Sequence, residues 1–143
     1  MSLPSPPSHV LTELLAEHEA LRELMTSCER LADELDGGRI GPEALTREIA
    51  RLRVAFDAHN RNEEQFLRPL LASADAFGDV RVDRMVADHI DEHRIVREGL
   101  GNEVTGQLRL ALDHLRAHLV AEERYFVTSK VLRDDVVVVE SGA

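Results

Sequence analysis

The stretch His59-Asn60-Arg61-Asn62-Glu63 places an imidazole and a carboxylate four residues apart. On an α-helix this spacing puts both side chains on one face, with their Cβ atoms about 5–6 Å apart. The same spacing returns in His118-Leu119-Val120-Ala121-Glu122. Both pairs continue apolar stripes, where an unpaired carboxylate is costly to bury. The two stretches therefore predict two halves of a metal site inside a helical bundle.

The composition favours one soluble, helical domain. The chain has 143 residues, of which 31% are charged and 3% aromatic, a balance typical of helical proteins. Its formal net charge of −10 disfavours broad contact with nucleic acid or an anionic membrane surface. Cys28 is the single cysteine, and neither a leader nor a membrane-spanning apolar run is recognisable, so a cytoplasmic location is expected.

Four stretches show the alternating three- and four-residue apolar spacing of amphipathic helices. Gly37-Gly38, a loop over residues 73–79 and a glycine-containing turn within residues 99–106 separate them. The pattern predicts an all-α fold, an up-down-up-down antiparallel four-helix bundle over residues 9–130. Residues 1–8 are expected to be a disordered N-terminal segment and residues 131–143 a C-terminal tail, whose valine run at 136–139 has no functional interpretation.

Histidine or glutamate replaces a hydrophobic residue on each of the four stripes. Antiparallel neighbours meet where they lie equally far from their shared turn, and most of these positions match in height at 1.5 Å per residue. The match for the last pair requires that the turn take up most of residues 99–106, or that the third helix run past Gly101. The predicted metal ligands are five histidines and two glutamates: His18, His59, Glu63, His89, His93, His118 and Glu122.

Some positions allow a simpler structural interpretation. His89 and His93 could be one ligand and one partly exposed neighbour, although the stripe through Val82, Val86 and Val96 places both near its centre. Tyr125 is expected to pack in the core with a bonded hydroxyl. The remaining side chains near the site are expected at the boundary or on the solvated face, namely His114, Glu64, Glu123 and the arginines beside them.

The donor types limit the metal. Imidazole and carboxylate suit iron, zinc or manganese, and a set without thiolates argues against a closed structural zinc site. Two six-coordinate ions would have all but one position filled by the imidazoles, two bridging carboxylates and a bridging oxide or hydroxide. The open position would accept a small ligand such as dioxygen, nitric oxide or peroxide.

The order His18, His59-x-x-x-Glu63, His89-x-x-x-His93, His118-x-x-x-Glu122 resembles the hemerythrin family, and more closely its HHE cation-binding branch. The resemblance covers residues from about 10 to 130 and implies a four-helix bundle with two non-haem iron ions joined by a bridging oxo or hydroxo group. It implies that one iron is held by His89, His93 and His118 and the other by His18 and His59. Glu63 and Glu122 would bridge the two, and Leu115 would line the ligand pocket.

One departure concerns the last carboxylate, which in the oxygen carriers is an Asp five residues after its His. Here Glu122 follows His118 by four residues, and Glu123, at five, points about 110° away from the stripe. The expected function is binding or handling of dioxygen, nitric oxide or peroxide for sensing, protection or iron homeostasis. An enzyme that decomposes peroxide or reduces nitric oxide is one alternative, and an interaction module with a purely structural metal is another.

Overall fold

A computed structural model describes residues 6–100 and 105–135 of the chain. Helix α1 spans Pro7–Asp36 and α2 spans Pro42–Asn62, which continues through a π-helical segment, Glu63–Leu67, into the short α3 at Arg68–Ala74. Helices α4 and α5 span Gly78–Gly99 and Thr105–Tyr125. Because α2, the π-helical segment and α3 follow one another without a break, the described residues form four rods.

The four rods pack in a ring. Helix α1 contacts α2 and α5, while α4 contacts α3 and α5. Short connections make sequence neighbours antiparallel, so the predicted all-α four-helix bundle is confirmed. None of the helices in the described part of the chain combines the length and apolar character that a membrane span requires.

The core consists of two separate apolar clusters. The first lies toward the Gly37-Gly38 turn and contains Leu21, Phe56, Ile95 and Leu119 among others. The second lies toward the opposite end and is built from nine buried residues: Val10, Leu14, Leu67, Leu71, Met85, Phe126, Val127, Val131 and Leu132. Along every rod the predicted site residues fall between members of the two clusters.

The π-helical segment shifts the register of the second rod. The apolar spacing predicts Phe66 and Leu70 on the buried stripe, but Phe66 is 44% exposed and Leu70 is only partly buried. Leu67 and Leu71 are fully buried in their place. A π-turn holds one residue more than an α-turn. After Glu63, each buried position of the stripe is therefore occupied one residue later in the sequence, by Leu67 instead of Phe66 and by Leu71 instead of Leu70.

Residues on both sides of the predicted bundle, 9–130, contact it in the structure. Pro7 and Ser8 already belong to α1, and both the backbone N–H and the hydroxyl of Ser8 donate hydrogen bonds to the Asp134 carboxylate. Val131 and Leu132 are buried in the second cluster. The segment up to residue 135 is therefore part of the bundle. The valine run at 136–139, most of the turn after Leu100 and residues 1–5 lie outside the described residues.

Gly78 fixes the approach of α4 to the end of α3. A Cβ atom at this position would lie 2.5 Å from the Ala72 carbonyl oxygen and 2.6 Å from that of Leu71. Such contacts involve backbone atoms, which cannot rotate away, so only glycine fits without moving the helix.

Gly78→Ala is expected to destabilise the protein by about 1–3 kcal/mol, because α4 has to shift to relieve the overlap. The matched control is Gly106→Ala, where a Cβ atom meets nothing within 4 Å and stability is expected to stay unchanged or rise by up to about 1 kcal/mol. Urea denaturation of both variants measures the difference. Equal stability of the two variants would contradict the close approach of α4 to the α3 backbone.

Candidate metal centre

Five charged or polar side chains form a buried layer between the two apolar clusters. Each is at most 1% exposed: His18, His59, Glu63, Glu92 and Glu122. All four rods contribute, since α1 carries His18, the second rod His59 and Glu63, α4 Glu92 and α5 Glu122. We call this set the buried polar layer. Buried carboxylates require a compensating charge or a complete set of hydrogen bonds.

One half of the layer is the group His18, His59 and Glu122, whose donor atoms lie within 4.8 Å of one another. Nε2 of His18 is 2.9 Å from Oε2 of Glu122, and Nε2 of His59 is 3.4 Å from the same oxygen. The two imidazole rings meet edge to face, with centroids 4.8 Å apart. Three donors therefore converge on one point from three different rods.

The other half is the group Glu63, His89 and Glu122, which also lies within 4.8 Å. Glu122 belongs to both groups. Oε1 of Glu63 lies 2.6 Å from Nε2 of His59 and 3.5 Å from Nε2 of His89, so this carboxylate stands between the two halves as well. The layer therefore contains two overlapping groups of possible metal donors, with Glu122 common to both.

Several buried donor atoms of this region have no hydrogen-bond partner in the described part of the chain. They are both carboxylate oxygens of Glu63 and of Glu92, Oε1 of Glu122 and Nε2 of His89. Two of these oxygens still lie in ion-pair contact with an imidazole, since Oε1 of Glu63 is 2.6 Å from His59 and Oε1 of Glu92 is 3.4 Å from His118. An orphaned buried carboxylate oxygen costs about 1–3 kcal/mol or more. Buried carboxylate oxygens and imidazole nitrogens without hydrogen-bond partners are what a bound cation needs, so the residues fit a metal site.

Each imidazole around the centre is also held from outside by a carboxylate. Nδ1 of His18 lies 2.8 Å from Oε2 of Glu123, and Nδ1 of His59 lies 2.8 Å from Oε1 of Glu17. Nδ1 of His89 lies 3.2 Å from Oε1 of Glu64. His118 makes the same kind of contact through its other ring nitrogen, since its Nε2 is 2.9 Å from Oδ2 of Asp91. We call Glu123, Glu17, Glu64 and Asp91 the outer carboxylates.

A nitrogen donor from another side chain orients every outer carboxylate. The donors are Arg22 to Glu123, Asn62 to Glu17, Arg68 to Glu64 and Arg94 to Asp91. A carboxylate on the far nitrogen of a metal-binding imidazole fixes the ring and raises its basicity. Glu64 and Glu123, expected on the solvated face, are 40% and 30% exposed, and they also contact imidazoles of the centre.

The buried carboxylates raise the pKa of the imidazoles. Burial by itself lowers the pKa of His59, but close contacts with Glu122, Glu17 and Glu63 outweigh it and raise that pKa to about 12. Burial likewise opposes charge on His89, and the contact with Glu63 raises its pKa to about 9. In the metal-free chain these imidazolium cations balance part of the carboxylate charge, and a bound metal would take their place.

The pKa values of Glu92 on α4 and Glu122 on α5 are shifted in opposite directions. Burial raises the pKa of Glu92 to about 7; the nearby His118 opposes the rise, whereas the charges of Glu122 and Glu63 add to it. Burial also acts to raise the pKa of Glu122, but contacts with His18 and His59 hold it well below its usual range. Without metal, the charge of Glu122 is therefore well compensated, whereas that of Glu92 is not.

The sequence model of the Hemerythrin HHE cation binding domain matches residues 9–129. This chain belongs to that family. No curated protein and no solved structure gives a significant match to the chain. A hemerythrin HHE domain binds cations, and the two overlapping groups of His and Glu are where the donors for them converge.

The structure brings most of the residues predicted from the HHE pattern together. His18, His59, Glu63, His89 and Glu122 meet at the centre. His118 is half-buried and reaches the centre through Glu92, with its Nδ1 3.4 Å from Oε1 of that carboxylate. Leu115 is buried in the first apolar cluster, and its predicted role in lining a ligand pocket stays a prediction.

The placement of His93 on the buried stripe of α4 is wrong. His93 is exposed, and its neighbour Glu92 is fully buried in the layer. Adjacent helical residues point about 100° apart, so only one of the two can face the centre. Met85 and Ile95 are buried and define the inner face, whereas the valine stripe that suggested His93 is only partly buried.

A sequence signal for Glu92 was present. Glu92 lies seven residues after Met85 and three before Ile95, and it follows His89 by three residues. Residues at these spacings share a helix face.

Tyr125 does not lie in the core, where the predicted stripe places it. Its side chain is 43% exposed, and its ring lies 4.7 Å from the guanidinium carbon of Arg84.

Glu92→Gln is expected to stabilise the metal-free HHE domain at pH 7 and above. Because folding raises the pKa of this carboxyl from 4.5 to about 7, the folded state disfavours its charged form. Below pH 4.5 the carboxyl is protonated in both states and no gain is expected. The gain builds up between about pH 4.5 and 7, where the carboxyl is ionised in the unfolded state but not in the folded one, and stays at roughly 1–3 kcal/mol above that range.

Chemical denaturation of the metal-free protein at several pH values measures this gain. Glu98→Gln, an exposed carboxylate on the same helix, is the control and is expected to stay within about 0.5 kcal/mol of the parent. A loss of stability at pH 8 in Glu92→Gln would show that the carboxylate is satisfied in the metal-free protein.

Glu123→Gln is expected to weaken metal binding by about 10–100-fold, since a neutral amide supports the His18 imidazole less well than a carboxylate. Competition with a chromophoric chelator measures the affinity. Glu19→Gln removes an exposed carboxylate from the cleft between α1 and α5 that Glu123 also lines. This variant is expected to leave the affinity unchanged. Equal affinities for the two variants would mean that the outer carboxylate does not act through His18.

Proposed function

We propose that this HHE domain holds two non-haem iron ions in the buried polar layer and binds or handles a small oxidant there, dioxygen, nitric oxide or peroxide. The roles that such binding would serve are sensing, protection against the oxidant or iron homeostasis. A cytoplasmic location belongs to the same proposal. The observation that carries it is the pair of donor groups that overlap at Glu122.

The overlap argues for two ions rather than one. A single ion at the first group would leave Nε2 of His89 without a partner. A single ion at the second group would leave His18 and His59 with only carboxylates to neutralise them. Two ions that share Glu122 would engage both groups, His18 and His59 on one side and Glu63 and His89 on the other, and such carboxylate sharing suits ions held side by side.

The proposed ligand sets follow from these positions. His18 and His59 would hold one ion, while His89 would hold the other. Glu63 and Glu122 would lie between the ions. Glu92 and the half-buried His118 are the remaining donors, and both lie on the His89 side of the layer.

Iron suits a site of imidazoles and carboxylates without thiolates. When bound, the iron pair would supply one-electron chemistry and an exchangeable position for a small ligand. The chain supplies the surroundings. The two apolar clusters exclude bulk water on both sides of the layer, which strengthens every charge interaction within it. The outer carboxylates would fix the orientation and tautomer of the imidazoles, so that the inward nitrogens are the ones that bind once a metal replaces their protons.

The decisive experiment is iron loading of the purified full chain, followed by metal analysis and absorption spectroscopy with and without azide. We expect two irons per chain and a near-ultraviolet charge-transfer band that shifts when azide is added. Glu122→Ala is expected to lose both ions, because Glu122 serves both groups. His18→Ala and His89→Ala are each expected to lose one. Circular dichroism of each variant shows whether the bundle remains folded.

His114→Ala is the matched control, since this exposed histidine lies on α5 outside both groups, and it is expected to keep two irons. Full iron content in a folded Glu122→Ala protein would contradict the shared site. Bound iron that gives no response to azide or oxidant would leave a structural metal. Steady consumption of peroxide or nitric oxide would identify an enzyme.

A further inference from the structure

The buried polar layer is closed on most sides, so a cation has to cross the wall of the bundle to reach it. His18 and His59 are at most 1% exposed, and the outer carboxylates cover their far nitrogens. His89 differs, because its side chain is 11% exposed. Any route that uses His89 therefore starts from the solvent side of α2 and α4.

A cleft of about 460 Å³ opens at this place. It is lined by the second rod and by α4, through Asp57, Asn60, Arg61, Glu64, His89 and His93. We call it the α2–α4 cleft. His89 connects it to the centre, since one ring nitrogen lies 3.2 Å from Oε1 of Glu64 at the cleft and the other lies 3.5 Å from Oε1 of Glu63 inside.

The lining of the α2–α4 cleft offers donors suited to a divalent cation. Asp57 and Glu64 provide carboxylates, and the exposed His93 provides an imidazole. Oδ1 of Asn60 is buried and has no hydrogen-bond partner among the described residues. Arg61 is the opposing charge in the lining, and its Nε donates to the backbone oxygen of Asp57. Acidic clefts concentrate cations and raise their association rates by about 10–1,000-fold.

A second cleft, of about 450 Å³, lies between α1 and α5, but no exposed imidazole connects it to the centre. Its lining includes Glu19, Arg22 and Glu123. The imidazole behind it, His18, is fully buried, and Glu123 is engaged by both His18 and Arg22. The α1–α5 cleft is therefore a matched comparison, because it has a similar size and a carboxylate lining but exposes no imidazole of the centre.

We propose that the α2–α4 cleft is the path by which divalent cations reach the buried polar layer. Asp57 and His93 bind the ion at the surface. Rotation of the partly exposed His89 side chain then transfers the ion inward to Glu63. This proposal rests on the proposed function, because it presupposes a metal centre in the layer. It also gives the exposed His93 a role on the path rather than in the final ligand set.

The test follows Co²⁺ uptake by the metal-free full chain in a stopped-flow instrument, using the visible absorption of the bound ion, with the end-point content measured separately. Asp57→Asn and His93→Gln are expected to slow uptake, by roughly tenfold when combined, and to leave the final content unchanged. Arg61→Gln removes the opposing charge and is expected to speed uptake. Glu19→Gln in the α1–α5 cleft is expected to load at the parental rate.

Opposite effects of the Asp57 and Arg61 variants, with the Glu19 variant unchanged, would support the path. Parental rates in both Asp57→Asn and His93→Gln would overturn it, and so would equal slowing in Glu19→Gln. A lower final content in His93→Gln would return His93 to the ligand set and overturn its role as a capture residue. A parent chain that binds no Co²⁺ would contradict the proposed function itself, and the path with it.

Discussion

The structure depends on how three carboxylates are tolerated in the middle of an apolar core. Glu63, Glu92 and Glu122 are at most 1% exposed and lie between two clusters of aliphatic and aromatic side chains. Unpaired charges in such a place would cost more than a small domain can supply. The imidazoles neutralise part of this charge, but at high pH Glu92 loses its proton, and the contact with His118 offsets only part of the resulting charge. The bundle is therefore built around cations, and membership of a cation-binding family agrees with that.

The helical rods are adapted to this requirement at two points. The π-helical segment begins at Glu63 itself, so the extra residue falls where the second rod passes the centre. It lets His59 and Glu63 face inward while Leu67 and Leu71 still reach the second apolar cluster. Irregular turns of this kind are frequent at functional sites. The second point is the outer ring of carboxylates, which immobilises four imidazoles before any ion arrives. A preorganised site loses less free energy to ordering when it binds.

Among the described residues, His89 links the centre to the surface between α2 and α4, and His118, which is 16% exposed, links Glu92 to the surface on α5. Burial protects the layer from water, but the same burial obstructs exchange of ions and small ligands. The partly exposed His89 has one ring nitrogen toward the α2–α4 cleft and the other toward the centre. Rotation of this one side chain would let an ion pass at a far smaller free-energy cost than separation of two helices. A site can in this way remain dry and still be loaded.

The sequence by itself determined the fold class, the four rods and four of the buried donors. His18, His59, Glu63 and Glu122 could be located because each breaks an apolar stripe at a helical spacing, and spacing is a local property of the chain. The ligand roles of these residues stay a proposal. Only the tertiary structure decided between Glu92 and His93, because the rotation of α4 depends on which of its two apolar stripes packs against its neighbours. It also decided the pairs His18–Glu123 and His59–Glu17, since residues 105 and 42 positions apart meet only when the rods are assembled and no sequence period records that contact.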